Sequence, residues 1–406
     1  MQHAAGQKIV LFVTKFKGPC IPVQYKGMKN FFRGTIFFPV VLVLVCCGYY
    51  PSGDAGAGDF TVVVWNLQSL FDGQEAGNEY AEFREGWTQE KYQARLMVIS
   101  QALRHMAEEG APINGNGREK SFPGLIGLVE IENAGVLVDL ARGELQKNGY
   151  SWSAFTSLTG SSLGIGVLSR FPLKDVRAHS ITVGMDTAPR PVLEVRVEPA
   201  GAPLVFLLCH WKSKLGSNTE EMRRASARVV HRRLCELKEA EPGTPVVVMG
   251  DLNENHDEYF RYGERFDASA LCALLPDDPG AAELAGKDLG GTASLLSFGT
   301  PGFLVLSREK PPDAEFFPDG IPALYSTWWE MADGSYYYKG GWETIDHFLL
   351  SEGLFGSSGW IFSGSWVLNH EPFVTSKGTP NAYVARYGRG LSDHLPLMLH
   401  LKYLGE

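Results

Sequence analysis

Short apolar runs that stop abruptly at polar residues recur along this chain. The clearest is Val246-Val247-Val248-Met249-Gly250, followed at once by Asp251-Leu252-Asn253. A β-branched run of this length suits a strand buried on both faces. Similar runs predict strands at 60–66, 124–133, 164–169, 192–197, 204–209, 345–350 and 395–399. Three stretches have helical spacing: 87–107, with Leu96, Ile99, Leu103 and Met106 on one stripe, then 136–147 and 219–239. Residues 260–340, rich in Gly, Pro and aromatics, predict irregular structure in which Trp328, Trp329, Tyr336–Tyr338 and Trp342 form a packed loop.

What stands at the strand ends carries the chemistry. Asn66, Glu130, His210, Asp251 and Asn253 follow apolar runs, whereas Asp346 and Asp393-His394 precede them. Where strands run antiparallel, the start of one lies beside the end of its neighbour, so these groups converge on one edge. Asp251 and Asn253 alone read as an ordinary Asx-turn; the repetition of polar termini makes a site the better reading. Glu130, Asp251, Asn253 and Asp393 are hard oxygen donors of the kind that hold Mg²⁺. His210 and His394 supply proton transfer or phosphate binding, and an Asp such as Asp346 orients a histidine by accepting its ring N–H. This set serves metal-assisted attack of water on a phosphate ester. The chain carries no P-loop, no G-x-G-x-x-G element and no recognisable setting for a nucleophilic Ser or Cys. Lys212 and Arg190 are further candidates for holding phosphate, or are solvated surface charges.

Charge divides the chain. Formal net charge is −9 over 406 residues, but the first 47 contain six Lys and Arg and no acid, leaving 31 basic against 46 acidic side chains in the body. So acidic a body excludes a general nucleic-acid-coating protein. In the N-terminal piece, basic Met28–Arg33 precedes the apolar stretch 34–45, the form of an export signal too short for a comfortable membrane span. Leu44-Val45-Cys46-Cys47 resembles a bacterial lipobox with Cys47 as the lipidated residue, since small Cys46 precedes it. We therefore expect an export segment at 1–47 with its natural start at Met28, a flexible tether at 48–59, and a catalytic domain at 60–402. The expected location is periplasmic, surface-anchored or secreted, with membrane contact only through the lipid. Cys209, Cys235 and Cys272 show no disulfide or zinc spacing.

The ordered set Trp65-Asn66, Val129-Glu130, Cys209-His210-Trp211-Lys212-Ser213, Gly250-Asp251-Leu252-Asn253, Ile345-Asp346-His347 and Ser392-Asp393-His394-Leu395-Pro396 resembles the endonuclease/exonuclease/phosphatase superfamily. That superfamily includes AP endonucleases, pancreatic-type deoxyribonucleases, neutral sphingomyelinases and inositol polyphosphate phosphatases. The resemblance implies an α/β fold, a two-sheet β-sandwich flanked by helices. It implies Glu130 as principal metal ligand, with Asn66 and Asp393 supporting a site for Mg²⁺ or its substitute Mn²⁺. Asp346 orients His394, which binds the phosphate or acts as base; Asp251 orients or deprotonates the water; Asn253 bonds the phosphoryl oxygens; His210 stabilises the transition state. The implied activity is hydrolysis of a phosphate ester by a monomeric secreted or surface-anchored nuclease. A lipid or inositol phosphate hydrolase and a non-catalytic binding lipoprotein are the competing expectations.

Overall fold

The computed structural model describes residues 8–16, 58–84, 86–109, 111–113, 117–119, 122–143, 145–183, 189–274, 301–312 and 322–405. Met28, Cys47 and nearly all of the expected tether lie outside the described residues. Two mixed sheets face each other, with helices on their outer sides. The first sheet runs Ile9–Lys15, Trp152–Leu158, Gly164–Ser169, Leu125–Ile131, Asp59–Leu70, Leu397–Tyr403, Trp360–Val367. The second runs Leu271–Leu274, Leu304–Ser307, Ala323–Ser326, Asp346–Leu350, Val246–Asp251, Leu204–His210, Val192–Val197, Val176–His179. This is the α/β sandwich of the endonuclease/exonuclease/phosphatase type.

Alternation along each strand builds three apolar layers. Phe60, Val62 and Val64 meet Phe206, Leu208, Val247, Met249 and Phe348 between the sheets. Their neighbours Val63, Trp65 and Leu67 turn outward onto the helices Gln89–Glu109 and Ala134–Arg142. Val205, Leu207, Val246 and Val248 likewise pack on Thr219–Ala240. Strands buried on both faces are the reason these runs are continuously apolar. The sheets approach closely at Gly127, where a Cβ would lie 2.8 Å from Met249 and 3.1 Å from Leu208.

The region expected to be irregular contributes Leu271–Leu274, Leu304–Ser307 and Ala323–Ser326 to the second sheet. These strands are four residues each, too short for a periodic signal to rise above their surroundings. The aromatic run forms a hairpin, Tyr336–Tyr338 against Gly341–Glu343, rather than a featureless loop. At the N-terminus, Ile9–Lys15 pairs antiparallel with Trp152–Leu158 over its whole length and lengthens the first sheet. Its β-branched composition favours pairing with an available edge. Among the described residues no helix is long and apolar enough to cross a membrane.

Candidate phosphoesterase site

The site lies at the mouth between the sheets, and side-chain parity selects its members. Asn66 continues the series Phe60, Val62, Val64; His210 continues Phe206, Leu208; Asp251 continues Val247, Met249; Asp346 precedes Phe348 and Leu350. All therefore point into the space between the sheets. His347, one residue off, faces the other side, fully buried with Nε2 2.8 Å from the Glu254 carbonyl.

Glu130 breaks this parity. Leu125 and Val129 face the opposite sheet and Ile126, Leu128 and Ile131 face the helices, so strict alternation would aim Glu130 at the helices. Instead the pairing register shifts between Val129 and Ile131, and Glu130 takes φ +61°. A bulge of this kind re-aims one side chain without disturbing the rest of the strand. The adjacent strand is distorted too, with Gln68 at φ +48° and Ser69 at φ +59°. Left-handed non-glycine residues cost about 1–3 kcal/mol each and persist where surroundings enforce them. Here the distortion aims the Ser69 N–H (2.9 Å) and hydroxyl (3.0 Å) at Glu130 Oε2. Buried Arg95, from the first helix, enforces it by donating to three successive carbonyls: Leu67 (2.5 Å), Gln68 (2.7 Å) and Ser69 (3.0 Å). Arg95 and Ser69 carry no sequence signal, because their role exists only across the helix–sheet contact.

Asp251 Oδ1 accepts the Asn253 N–H at 2.9 Å, the Asx-turn expected locally, while Oδ2 accepts from Asn66 Nδ2 at 3.0 Å. The turn needs Gly250: at φ +131°, a Cβ would lie 1.9 Å from the Cys209 carbonyl oxygen. Asn253, itself at φ +53°, donates Nδ2 to the Trp211 carbonyl. Burial, reinforced by the neighbouring Asp346 charge and opposed by His394, pushes the Asp251 carboxyl up to about 7.

Asp346 Oδ2 lies 2.7 Å from His394 Nδ1 and accepts the Ser335 hydroxyl at 2.6 Å. Burial alone would disfavour the His394 cation, but Asp346, Asp393 and Asp251 outweigh it and raise the imidazole to about 10. Its Nε2 faces outward, 4.0 Å from both Asp251 Oδ2 and Asp393 Oδ1. Tyr336 stacks on the ring at 4.6 Å. Opposite, His210 Nε2 is 3.7 Å from both Glu130 Oε1 and Asp251 Oδ2. Burial, with the charges of Arg190 and His394, holds His210 well below its ordinary value, so it is neutral.

Asp251, Asp346 and His394 bring ligand atoms within 4.8 Å of one another. As a cage they are incomplete, because Asp346 Oδ2 and His394 Nδ1 face each other at 2.7 Å and only His394 Nε2 and Asp251 turn toward the mouth. Glu130 fits a hard cation better. Its side chain is 22% exposed, leaving room for the waters Mg²⁺ retains, and Oε1 faces the mouth. Half-buried Asp393 stands beside it; burial, opposed by His394 and reinforced by Glu130, raises its carboxyl. Asn66 supports the site by hydrogen bonding. Its Oδ1 takes the Gln68 N–H at 2.9 Å, and Nδ2 spans Glu130 (3.3 Å) and Asp251. It thus holds the two carboxylates together. Glu132 accepts the Asp72 N–H, and Asn133 caps the second helix.

A family profile described as Endonuclease/Exonuclease/phosphatase family matches residues 61–261. No curated protein matches the chain. Among solved structures, it is similar to a humanized D. rerio TDP2 (13% identity, 84% of this chain and 98% of that one, TM-score 0.46). It is similar also to a conserved protein of unknown function from Enterococcus faecalis (13% identity, 86% and 100%, TM-score 0.47). A third is a mannosyl-6-phosphatase from Bacteroides thetaiotaomicron (15% identity, 84% and 99%, TM-score 0.44). The profile match spans the strands that deliver Asn66, Glu130, His210, Asp251 and Asn253 to one mouth, so it is residues 61–261 that carry the pattern of the endonuclease/exonuclease/phosphatase family.

Proposed function

We propose that this protein is a Mg²⁺-dependent phosphodiesterase that hydrolyses nucleic acid by in-line attack of water. The family's members generally hydrolyse phosphate esters and generally depend on divalent metal. The observation that carries the reading is the line Asp346–His394–Asp251, in which a buried histidine ring faces a buried carboxyl group across 4.0 Å. That gap suits a phosphoryl oxygen on His394 and a water on Asp251. Near neutral pH, Asp251 is basic enough to take the water proton, while His394 stays charged and donates to the phosphoryl oxygen. Neutral His210 lies on the far side of Asp251, placed to donate one hydrogen bond as charge builds on the phosphorus oxygens. Asn253 and Asn66 orient the Asp251 carboxylate through its two oxygens. A divalent cation at Glu130, with Asp393 beside it, would polarise the phosphate and stabilise the leaving oxygen. No covalent intermediate is needed. The hydroxyls of Ser69, Ser335 and Ser392 are committed to Glu130, Asp346 and the Asn66 carbonyl.

The basic stretch Met28–Arg33 and the apolar stretch 34–45 support export with a lipid anchor at Cys47, whose processing would remove the edge strand Ile9–Lys15 and leave Trp152–Leu158 as the edge, and hence an extracellular or periplasmic substrate. The test is hydrolysis of duplex and single-stranded DNA, RNA, sphingomyelin and inositol phosphates, with and without Mg²⁺. Asp251→Ala should lower the rate by about 10³-fold, as removal of a single transition-state group commonly does. Activity on none of these substrates, or equal activity in the variant, refutes the proposal. Preference for sphingomyelin or inositol phosphates would keep the mechanism and replace the substrate.

A further inference from the structure

The segment 373–392 carries Lys377, Arg386 and Arg389 and no acidic residue, in a chain of net charge −9. Its tip, Val384–Arg389, is a closed turn. The Val384 N–H donates to the Arg389 carbonyl at 2.8 Å, and the Tyr387 and Gly388 N–H groups donate to the Val384 carbonyl at 3.0 and 2.9 Å. Tyr387 is 66% exposed and Val384 45%. Arg386 lies 5.6 Å from the Tyr387 ring centre. Neither Arg386 nor Arg389 has a carboxylate partner among the described residues. An exposed tyrosine between two uncommitted guanidinium groups, held rigid by backbone hydrogen bonds, is poorly explained as a packing element.

This turn is wired to the catalytic mouth. The Gln68 side chain bonds both the N–H (2.7 Å) and the carbonyl (3.1 Å) of Tyr383, and its Oε1 also takes the Asp393 N–H at 3.0 Å. Gln68 adjoins Ser69, which holds Glu130. A cleft of about 290 Å³ runs between the turn and the site edge, lined by Gln68, Ser69, Phe83, Tyr383 and Arg386, with the Glu82 carboxylate also in its wall. Positive charge, an available ring and a cleft thus continue outward from the proposed scissile position. We propose that the Arg386-Tyr387-Gly388-Arg389 turn docks the nucleic-acid strand flanking the scissile phosphodiester, its arginines on flanking phosphates and Tyr387 under a base. This rests on the phosphodiesterase reading and adds the substrate's polymeric character to it. The local basic patch also reconciles an acidic body with a polyanionic substrate, since attraction is confined to the working edge.

The test uses the full protein carrying Asp251→Asn for binding and the wild-type site for turnover. Fluorescence anisotropy measures affinity for a single-stranded oligonucleotide across a salt series. Arg386→Gln with Arg389→Gln should lower the logarithmic salt slope by about 1.4, two phosphate contacts at ~0.7 each for a single strand. The corresponding lysine pair should restore it, because lysine keeps the point charge. Tyr387→Ala should weaken binding about tenfold, the scale of one base–aromatic stack. In turnover, the glutamine pair should reduce kcat/KM for the oligonucleotide about tenfold more than for bis(p-nitrophenyl) phosphate. An unchanged salt slope, or equal losses on long and small substrates, overturns the docking role. Hydrolysis of the small diester with no oligonucleotide binding refutes docking and leaves the catalytic reading standing. Loop-dependent oligonucleotide binding without any hydrolysis does the reverse.

Discussion

Arg95 offers the most demanding check on how the site is held, because it touches none of the reacting groups. Replacing it with methionine keeps the helix and much of the side-chain volume but removes three charge-assisted hydrogen bonds to Leu67, Gln68 and Ser69. Hydrogen bonds to charged groups contribute about 1.5–3 kcal/mol each, so the gross loss is about 4.5–9 kcal/mol. Against this, burial of the guanidinium is itself costly and draws its value down from the ordinary arginine range to about 10. At 1.36 kcal/mol per pH unit that penalty is about 3 kcal/mol, and methionine escapes it. The net expectation is a destabilisation of about 2–6 kcal/mol, measurable by denaturant titration. The second consequence is specific to function. Without the clamp, Gln68 and Ser69 leave their left-handed conformations, and Glu130 loses two donors to one carboxylate oxygen. Loss of such supporting partners commonly weakens metal binding 10- to 100-fold. Calorimetric titration of Mg²⁺ or Mn²⁺ into the substrate-free protein reads this directly. Arg95→Lys should recover part of the stability but little of the affinity, since an ammonium cannot span three carbonyls. Folded Arg95→Met that binds metal as wild type does would refute the reasoning.

Other consequences are open to equally direct measurement. The hydrolysis rate should rise as pH passes through about 7, where Asp251 ionises, and fall near about 10, where His394 loses its proton. Asp346→Asn removes the largest influence raising His394, so the descending limb should move to lower pH; a limb that stays in place excludes His394 as its origin. The stability signs are opposite for the two groups. His394, raised above its unfolded value of about 6.5, stabilises the fold fully below that pH and loses the contribution as pH rises through about 10. Asp251, also raised, opposes folding increasingly from about pH 4 to about 7. Denaturant midpoints of His394→Gln and wild type should therefore converge in strong alkali. Finally, Gly250→Ala places a Cβ 1.9 Å from the Cys209 carbonyl oxygen. It should cost about 3 kcal/mol or more and displace Asp251; an unchanged Tm and rate would show that the turn is adaptable.

Much of this protein was legible from order along the chain. Continuous apolar runs located the central strands, because strands buried on both faces must be apolar on both, and the polar residues closing those runs named the mouth. Within the folded strands, parity then places Asn66, His210, Asp251 and Asp346 on one side, since side-chain direction is a local property of extended backbone. Glu130 marks where that logic ends: its orientation depends on a bulge and on the Ser69 donors supplied by a neighbouring strand. The sequence determined which donors were available. Only the tertiary structure decided that Asn66 presents its N–H group to both carboxylates, and that Arg95, from a separate helix well upstream of Glu130, holds the strained turn. It also decided that Asp346 and His394, far apart in the chain, share one proton-bearing contact at 2.7 Å. Contacts between separate elements leave no periodic trace, because the distances that create them are measured across the fold and not along the backbone.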